Sequence, residues 1–213
     1  MSAARWLLPV ALVTLTGCES AYYGAMERVG VHKREILVDR VAEAQASQEE
    51  GQEVFKSALE RFRFVVEFDG GDLEEAYESL NAEYEDSVDA AERIRSRIES
   101  VESVGEALFE EWEKELGEYT SDSLRRDSER QLRDTRQRYD RLVSAMRRAE
   151  ASIEPVLASL KDNVLYLKHN LNARAIASLK GELGTVNTNV DKLIADMQRA
   201  IEESSAFIRE MRG

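Results

Sequence analysis

Cys18 is the only cysteine in 213 residues and the one side chain whose setting singles it out for covalent chemistry. Its thiolate is a nucleophile, and with no second cysteine it has no disulfide partner within the chain. It closes the stretch Leu15-Thr16-Gly17-Cys18, which ends an apolar run from Trp6 to Leu15 preceded by Arg5. A basic residue, then about 7 to 15 apolar ones, then small residues, reads as a secretory signal over residues 1–17. Ten residues of helix rise about 15 Å against a hydrocarbon core of about 30 Å, too short for a retained span. The other reactive residue types lack partners at useful spacing. His32 and His169 have no second histidine or carboxylate placed as in a helical metal motif, so no metal and no cofactor is expected. Glu74-Glu75 and Glu110-Glu111 are carboxylate pairs among many, and hydrated helix-surface glutamates stay ionised instead of serving as general acids. No Gly-x-Ser-x-Gly elbow occurs, and Asp69-Gly70-Gly71-Asp72 would repel phosphate, so no catalytic residue is assigned and the chain is not read as an enzyme.

Leu15-Thr16-Gly17-Cys18 resembles the lipobox of bacterial lipoproteins. The resemblance implies that Cys18 becomes the diacylglyceryl-modified, acylated first residue of the mature chain. Three acyl chains, at about 0.8 kcal/mol per buried methylene, would make membrane detachment negligible. By resemblance to the sorting rule of enteric lipoproteins, in which an aspartate after the cysteine favours retention in the inner membrane, Glu19 favours an outer-membrane anchor facing the periplasm. Residues 18–25 then read as a lipidated tether, and 22–213 as one domain.

Charge narrows the partners. The chain has 29 Lys and Arg against 42 Asp and Glu, and loss of residues 1–17 removes only Arg5, deepening the net charge from −13 to −14. Such a chain is repelled by nucleic acid. With 43% hydrophobic residues and two prolines, it has the makings of long packed helices rather than a disordered tail.

The elements follow from spacing. Leu37, Val41, Ala44, Gln48, Gly51, Phe55, Ala58, Phe62 and Val65 alternate steps of four and three, a heptad seam that predicts a first helix over about Tyr22 to Phe68. Gln48 and Gly51 are poor core residues, so a looser layer is expected there. Asp69-Gly70-Gly71 breaks the helix, and Asp72 with Glu75 resembles a capping box. A second seam runs from Leu73 to Tyr119, and a third from Leu124 to Leu171 keeps phase across Pro155, predicting one kinked helix. Asn170-Leu171-Asn172 predicts a boundary before a fourth seam, Ile176 to Met211; the alternative is a third helix continuing to the C-terminus. Val164-Leu165-Tyr166-Leu167 is apolar on more than one face, as where three neighbours converge. The fold class is therefore all-α: a long antiparallel, coiled-coil-like bundle of four helices joined by short turns.

From Asp72 to Glu118 there are 17 acids and four bases, and from Asp122 to Glu150 nine arginines and six acids. Antiparallel packing should set the arginine-rich start of the third helix against Glu110, Glu111, Glu113, Glu115 and Glu118. The run Arg125, Arg126, Arg130, Arg133, Arg136, Arg138 and Arg141 has the residues for an anionic ligand, but its interleaved acids fit a solvated face better. Two polar turns fall at the end distal to Cys18 and form a candidate partner-binding tip: Asp69, Gly70, Gly71 and Asp72 in one, His169, Asn170, Asn172 and Arg174 in the other.

Tyr22-Tyr23-Gly24-Ala25-Met26-Glu27, Phe68-Asp69-Gly70-Gly71-Asp72-Leu73, Leu124-Arg125-Arg126-Asp127-Ser128 and the run Leu167 to Ile176 resemble domain-of-unknown-function family 2959 of Gram-negative envelope proteins. The resemblance implies a coiled-coil lipoprotein and carries no catalytic residue. Two functions are expected of such a chain. The first is a lipid-anchored scaffold or adaptor reaching a protein or cell-wall partner. The alternative is a bundle holding a lipid or small apolar ligand near Gln48 and Gly51, in a cavity lined by Phe55, Tyr84, Tyr139 and Met146.

Overall fold

The computed structural model describes residues 32–67 and 72–212, and every regular element among them is a helix. They are α1 (Lys33–Val66), α2 (Leu73–Leu116), α3 (Asp122–Ala151), α4 (Ile153–His169) and α5 (Ala173–Arg212). The signal, Cys18, the tether and Asp69-Gly70-Gly71 lie outside the described residues.

Apolar spacing decides which faces meet. All nine seam positions of α1 are buried, and Leu37, Val41, Phe55, Phe62 and Val65 have no exposed surface. α1 packs against α2 and α5, and α3 and α4 together form a third rod packed against the same two. The four rods therefore make a square bundle with α1 and the third rod on its diagonal. Polar contacts at the rim fix the antiparallel register: Lys33 Nζ lies 3.1 Å from Glu111 of α2 in an ion pair, and the Arg34 guanidinium donates a hydrogen bond to the Met211 carbonyl of α5 at 2.5 Å. At about 1.5 Å per residue, the 44-residue α2 is about 66 Å long.

The third rod is interrupted at Ser152, three residues before the proline. Ser152 takes helical φ and ψ of −80° and −10°, and α4 starts at Ile153, which puts Pro155 in a first turn. There the missing N–H of proline costs nothing, because first-turn N–H groups have no intrahelical acceptor. The boundary at Asn170–Asn172 is real. Asn170 donates from its side-chain amide to the Tyr166 carbonyl at 2.9 Å, and the Asn172 side-chain oxygen accepts from Arg174 and Ala175 N–H at 3.0 and 3.2 Å.

The seams fail at their ends. Tyr119, Leu124 and Leu171, read from spacing as seam members, are exposed; all three lie in or beside the turns that join rods. The layer at Gln48 and Gly51 is tight instead of loose. A Cβ on Gly51 would stand 2.7 Å from Ile94 Cδ1, so the isoleucine fills the space the glycine leaves. Gln48 is fully buried, and neither polar atom of its side chain has a protein partner. Gly105 admits the Tyr139 ring, whose hydroxyl donates toward the Val101 and Glu102 carbonyls at 3.4 Å each.

Two substitutions test this packing by urea denaturation. Gln48→Leu is expected to raise unfolding free energy by about 1 to 3 kcal/mol, the desolvation cost of an unmade buried hydrogen bond. Gly105→Ala is expected to lower it by about 1 to 3 kcal/mol, since the new methyl overlaps the Tyr139 ring.

Candidate functional site

Unequal rod lengths set apart the end of the bundle that carries the α4–α5 turn. Arg63 lies three residues before the last residue of α1, yet it donates to Asn187, fourteen residues into α5. Gln52 donates to the Ile194 carbonyl at 3.2 Å. These pairs place the α4–α5 turn roughly 10 to 15 Å beyond the last turn of α1. The α4–α5 hairpin therefore reaches beyond the described end of α1.

Projection explains the surface. Leu165 (44%), Tyr166 (39%) and Leu171 (43%) are exposed on this hairpin, so the apolar character of Val164 to Leu167 serves one buried face, Val164 and Leu167, and one solvent face. Exposed Lys161, Lys168, Arg174 and Lys180 surround them against one acid between 161 and 180, Asp162, in an otherwise acidic chain. A shallow groove between α4 and α5 is lined by Ala158, Asp162, Tyr166, Ser178, Leu179 and Glu182, with the Tyr166 and Ser178 hydroxyls 3.3 Å apart. His169 is exposed beside it. Asn170 and Asn172, candidates for partner contact, spend their side chains on capping, and Asp72 caps α2 by accepting from Glu74 N–H at 2.9 Å. On α1, exposed Phe64 carries the Arg61 guanidinium 5.6 Å from its ring centroid.

A second polar cluster, between α3, α4 and α5, escaped sequence reading. Ser152 Oγ donates to Asp196 Oδ2 at 2.6 Å, Lys192 Nζ lies 2.6 Å from both, and Arg199 is 3.0 Å from the other carboxylate oxygen. A serine beside a lysine has the makings of a nucleophile and base. Here Ser152 is only 4% exposed and Lys192 is ion-paired, so the cluster holds the rod junction to α5. The spacing of Lys192 and Asp196 was legible as an i,i+4 pair, but Ser152 joins them only through the bundle's register. Burial of Asp196 opposes its charged form, yet hydrogen bonds from Lys192 and Ser152, with the nearby Lys192 and Arg199 charges, outweigh it and hold the carboxyl below its ordinary value.

The arginine run divides between partners. Arg136 reaches Glu113 of α2 at 2.5 Å as charge pattern predicts, but Arg138 pairs with Glu210 of α5 at 2.8 Å, and Arg125 and Arg130 pair within α3. Glu111 is taken by Lys33. Farther along, Arg147 joins Glu102 and Glu150, and Arg95 reaches Glu150 at 3.1 Å. Burial opposes ionisation of Glu150, but these arginines hold its carboxyl below the usual range.

Among the described residues, no group of three or more His, Cys, Asp or Glu could hold a metal, and no helix is long and apolar enough to cross a membrane. With this geometry in hand, the family model described as "Protein of unknown function (DUF2959)" matches residues 22–211. The chain belongs to the DUF2959 family. No curated protein matches it. The DUF2959 match covers all of α1 to α4 and nearly all of α5, and begins ahead of α1, at Tyr22.

The Asp196 cluster sets a pH dependence. A carboxyl whose folded pKa is depressed adds stability that is complete above the unfolded value, near 3.8, and is lost as pH falls through the lower folded value. Thermal melts should show Asp196→Asn less stable than the parent at pH 7, with the gap closing on acidification below about pH 4; a gap of constant size contradicts the assignment.

Proposed function

We propose that this protein is a lipid-anchored, periplasm-facing envelope protein with a scaffolding or adaptor role and no catalysis: Cys18 fixes one end to the outer membrane and the rod presents the α4–α5 hairpin to a protein or cell-wall partner. One observation carries this reading. Lys33, where the described chain leads back toward Cys18, and the exposed Leu165, Tyr166 and Leu171 stand at opposite ends of the bundle. The lipobox-like Leu15-Thr16-Gly17-Cys18 supports the anchor. Exposed leucine and tyrosine ringed by cations support a contact surface, since water-facing apolar side chains of this size gain free energy when a partner covers them. The rod's length supports reach, about 66 Å from end to end along α2.

Two outcomes test it. Cys18→Ala should move the protein from the membrane fraction to the soluble fraction, and identical partitioning of both forms contradicts the anchor. Photo-crosslinking residues placed at Leu165 or Leu171 in membranes should capture a partner that the same residue at exposed Ser144, in the middle of α3, does not; equal capture at both positions contradicts the hairpin as the contact surface.

A further inference from the structure

One face of α5 has no neighbour among the described residues. Arg174, Ala177, Gly181, Gly184, Thr188 and Asp191 alternate steps of three and four, the spacing of a helix-packing seam, and all six are exposed. The seam that α5 buries against the other rods is a different one, Leu179, Val186, Val190, Leu193 and Met197. Glycines mark the outer seam as unfilled. Gly51 and Gly105 each take in a side chain from another rod, Ile94 and Tyr139, whereas a Cβ on Gly181 or Gly184 would meet nothing within 4 Å. Glycine inside a helix costs stability relative to alanine, and no described part of the chain uses the space these two leave. The seam ends in opposite charges. Arg174 and Asp191 make no ion pair among the described residues, and Asp191 only accepts from the Asn187 amide of its own helix at 2.6 Å.

We propose that this face of α5 pairs, antiparallel, with the same face of a second copy of the chain. The seam has the same spacing in both directions about a midpoint between Gly181 and Gly184. A two-fold axis through that midpoint, perpendicular to the helix, sets Ala177 of one copy level with Thr188 of the other and Gly181 level with Gly184, so small residues meet small ones and the two backbones approach closely. It also sets Arg174 of each copy level with Asp191 of the other, giving two ion pairs where a parallel pairing would set like charges against like. One step beyond the seam's end, the same symmetry brings Leu171, exposed in the α4–α5 turn, beside exposed Ala195, an apolar neighbour it lacks in one chain. Charge permits the approach. Residues 171–195 hold three cations, Arg174, Lys180 and Lys192, against two acids, Glu182 and Asp191, whereas the chain as a whole stands at −13 and would repel a second copy elsewhere. The inference deepens the reading above by naming the protein that the α4–α5 hairpin meets; it rests on that reading for the hairpin alone and not for an anchor at Cys18. Paired in this way, the two helices overlap over residues 171–195, about 36 Å, and the rods point in opposite directions.

Disulfide trapping reads the direction of pairing. In the full chain with Cys18→Ser, protein carrying Ala177→Cys mixed with protein carrying Thr188→Cys should give a mixed disulfide dimer on oxidation. Each alone should stay unlinked, because like positions lie about 16 Å apart along the antiparallel pair. Sedimentation velocity on the same Cys18→Ser chain reads the contact without new cysteines. Gly184→Leu should leave the thermal melt no lower, since nothing in the chain stands where the new side chain goes, yet it should raise the dissociation constant of the dimer several-fold. Asp191→Arg should weaken the dimer, and adding Arg174→Asp to it should restore the parent's affinity. A disulfide dimer from either cysteine variant alone, no mixed dimer, or a dimer indifferent to both Gly184→Leu and Asp191→Arg overturns the proposal. A chain that stays monomeric overturns it too, while leaving the hairpin to whatever other partner the photo-crosslinking captures.

Discussion

Burial of an unslipped three-and-four seam is the constraint on which the rest of the molecule depends. A helix of 34 residues has no stability of its own to spare in water, and α1 is held because one continuous stripe, Leu37 to Val65, loses its water to α2 and α5. Full burial of a leucine or phenylalanine contributes about 1.5 to 3 kcal/mol, whereas an exposed ion pair contributes about 0 to 1. The rim pairs Lys33–Glu111, Arg97–Glu43 and Arg136–Glu113 therefore choose direction and register more than they stabilise. A slip of one residue would take the seam off its partners.

Most of the fold was written in spacing. The seams of all four rods, the break after Asn170 and the polar caps at Asp72 and Asn172 are local patterns, and local patterns survive into the structure because nothing at a distance opposes them. What was not legible depends on register. Gly51 looks like a gap in one helix, but Ile94 of another fills it. Pro155 looks like a kink, but the interruption falls at Ser152, where Asp196 and Lys192 of α5 receive the hydroxyl. Leu124 and Leu171 continue the seams in sequence but stand exposed beside turns, and where a rod ends is set by packing between rods and not by spacing within one.

The same distinction separates site from scaffold. Residue types that suggest chemistry in the described bundle turn out to be structural: Asn170 and Asn172 cap helices, Ser152 with Lys192 holds a rod junction, and Glu102, Arg147 and Glu150 tie α2 to α3. Among the described residues, the apolar side chains with unused capacity gather on the α4–α5 hairpin: Leu165, Tyr166 and Leu171.

Height above the membrane tests that account most directly. If the Cys18 thiol is acylated as proposed, a cysteine introduced at Ser123 or at Ser178 is the only free one in the chain, and a fluorophore on it can be ranged against an acceptor dye in the bilayer. The account expects the Ser123 probe near the surface and the Ser178 probe farther out by about 60 Å, most of the rod's length. Equal heights for the two probes, a rod lying along the membrane, would contradict it.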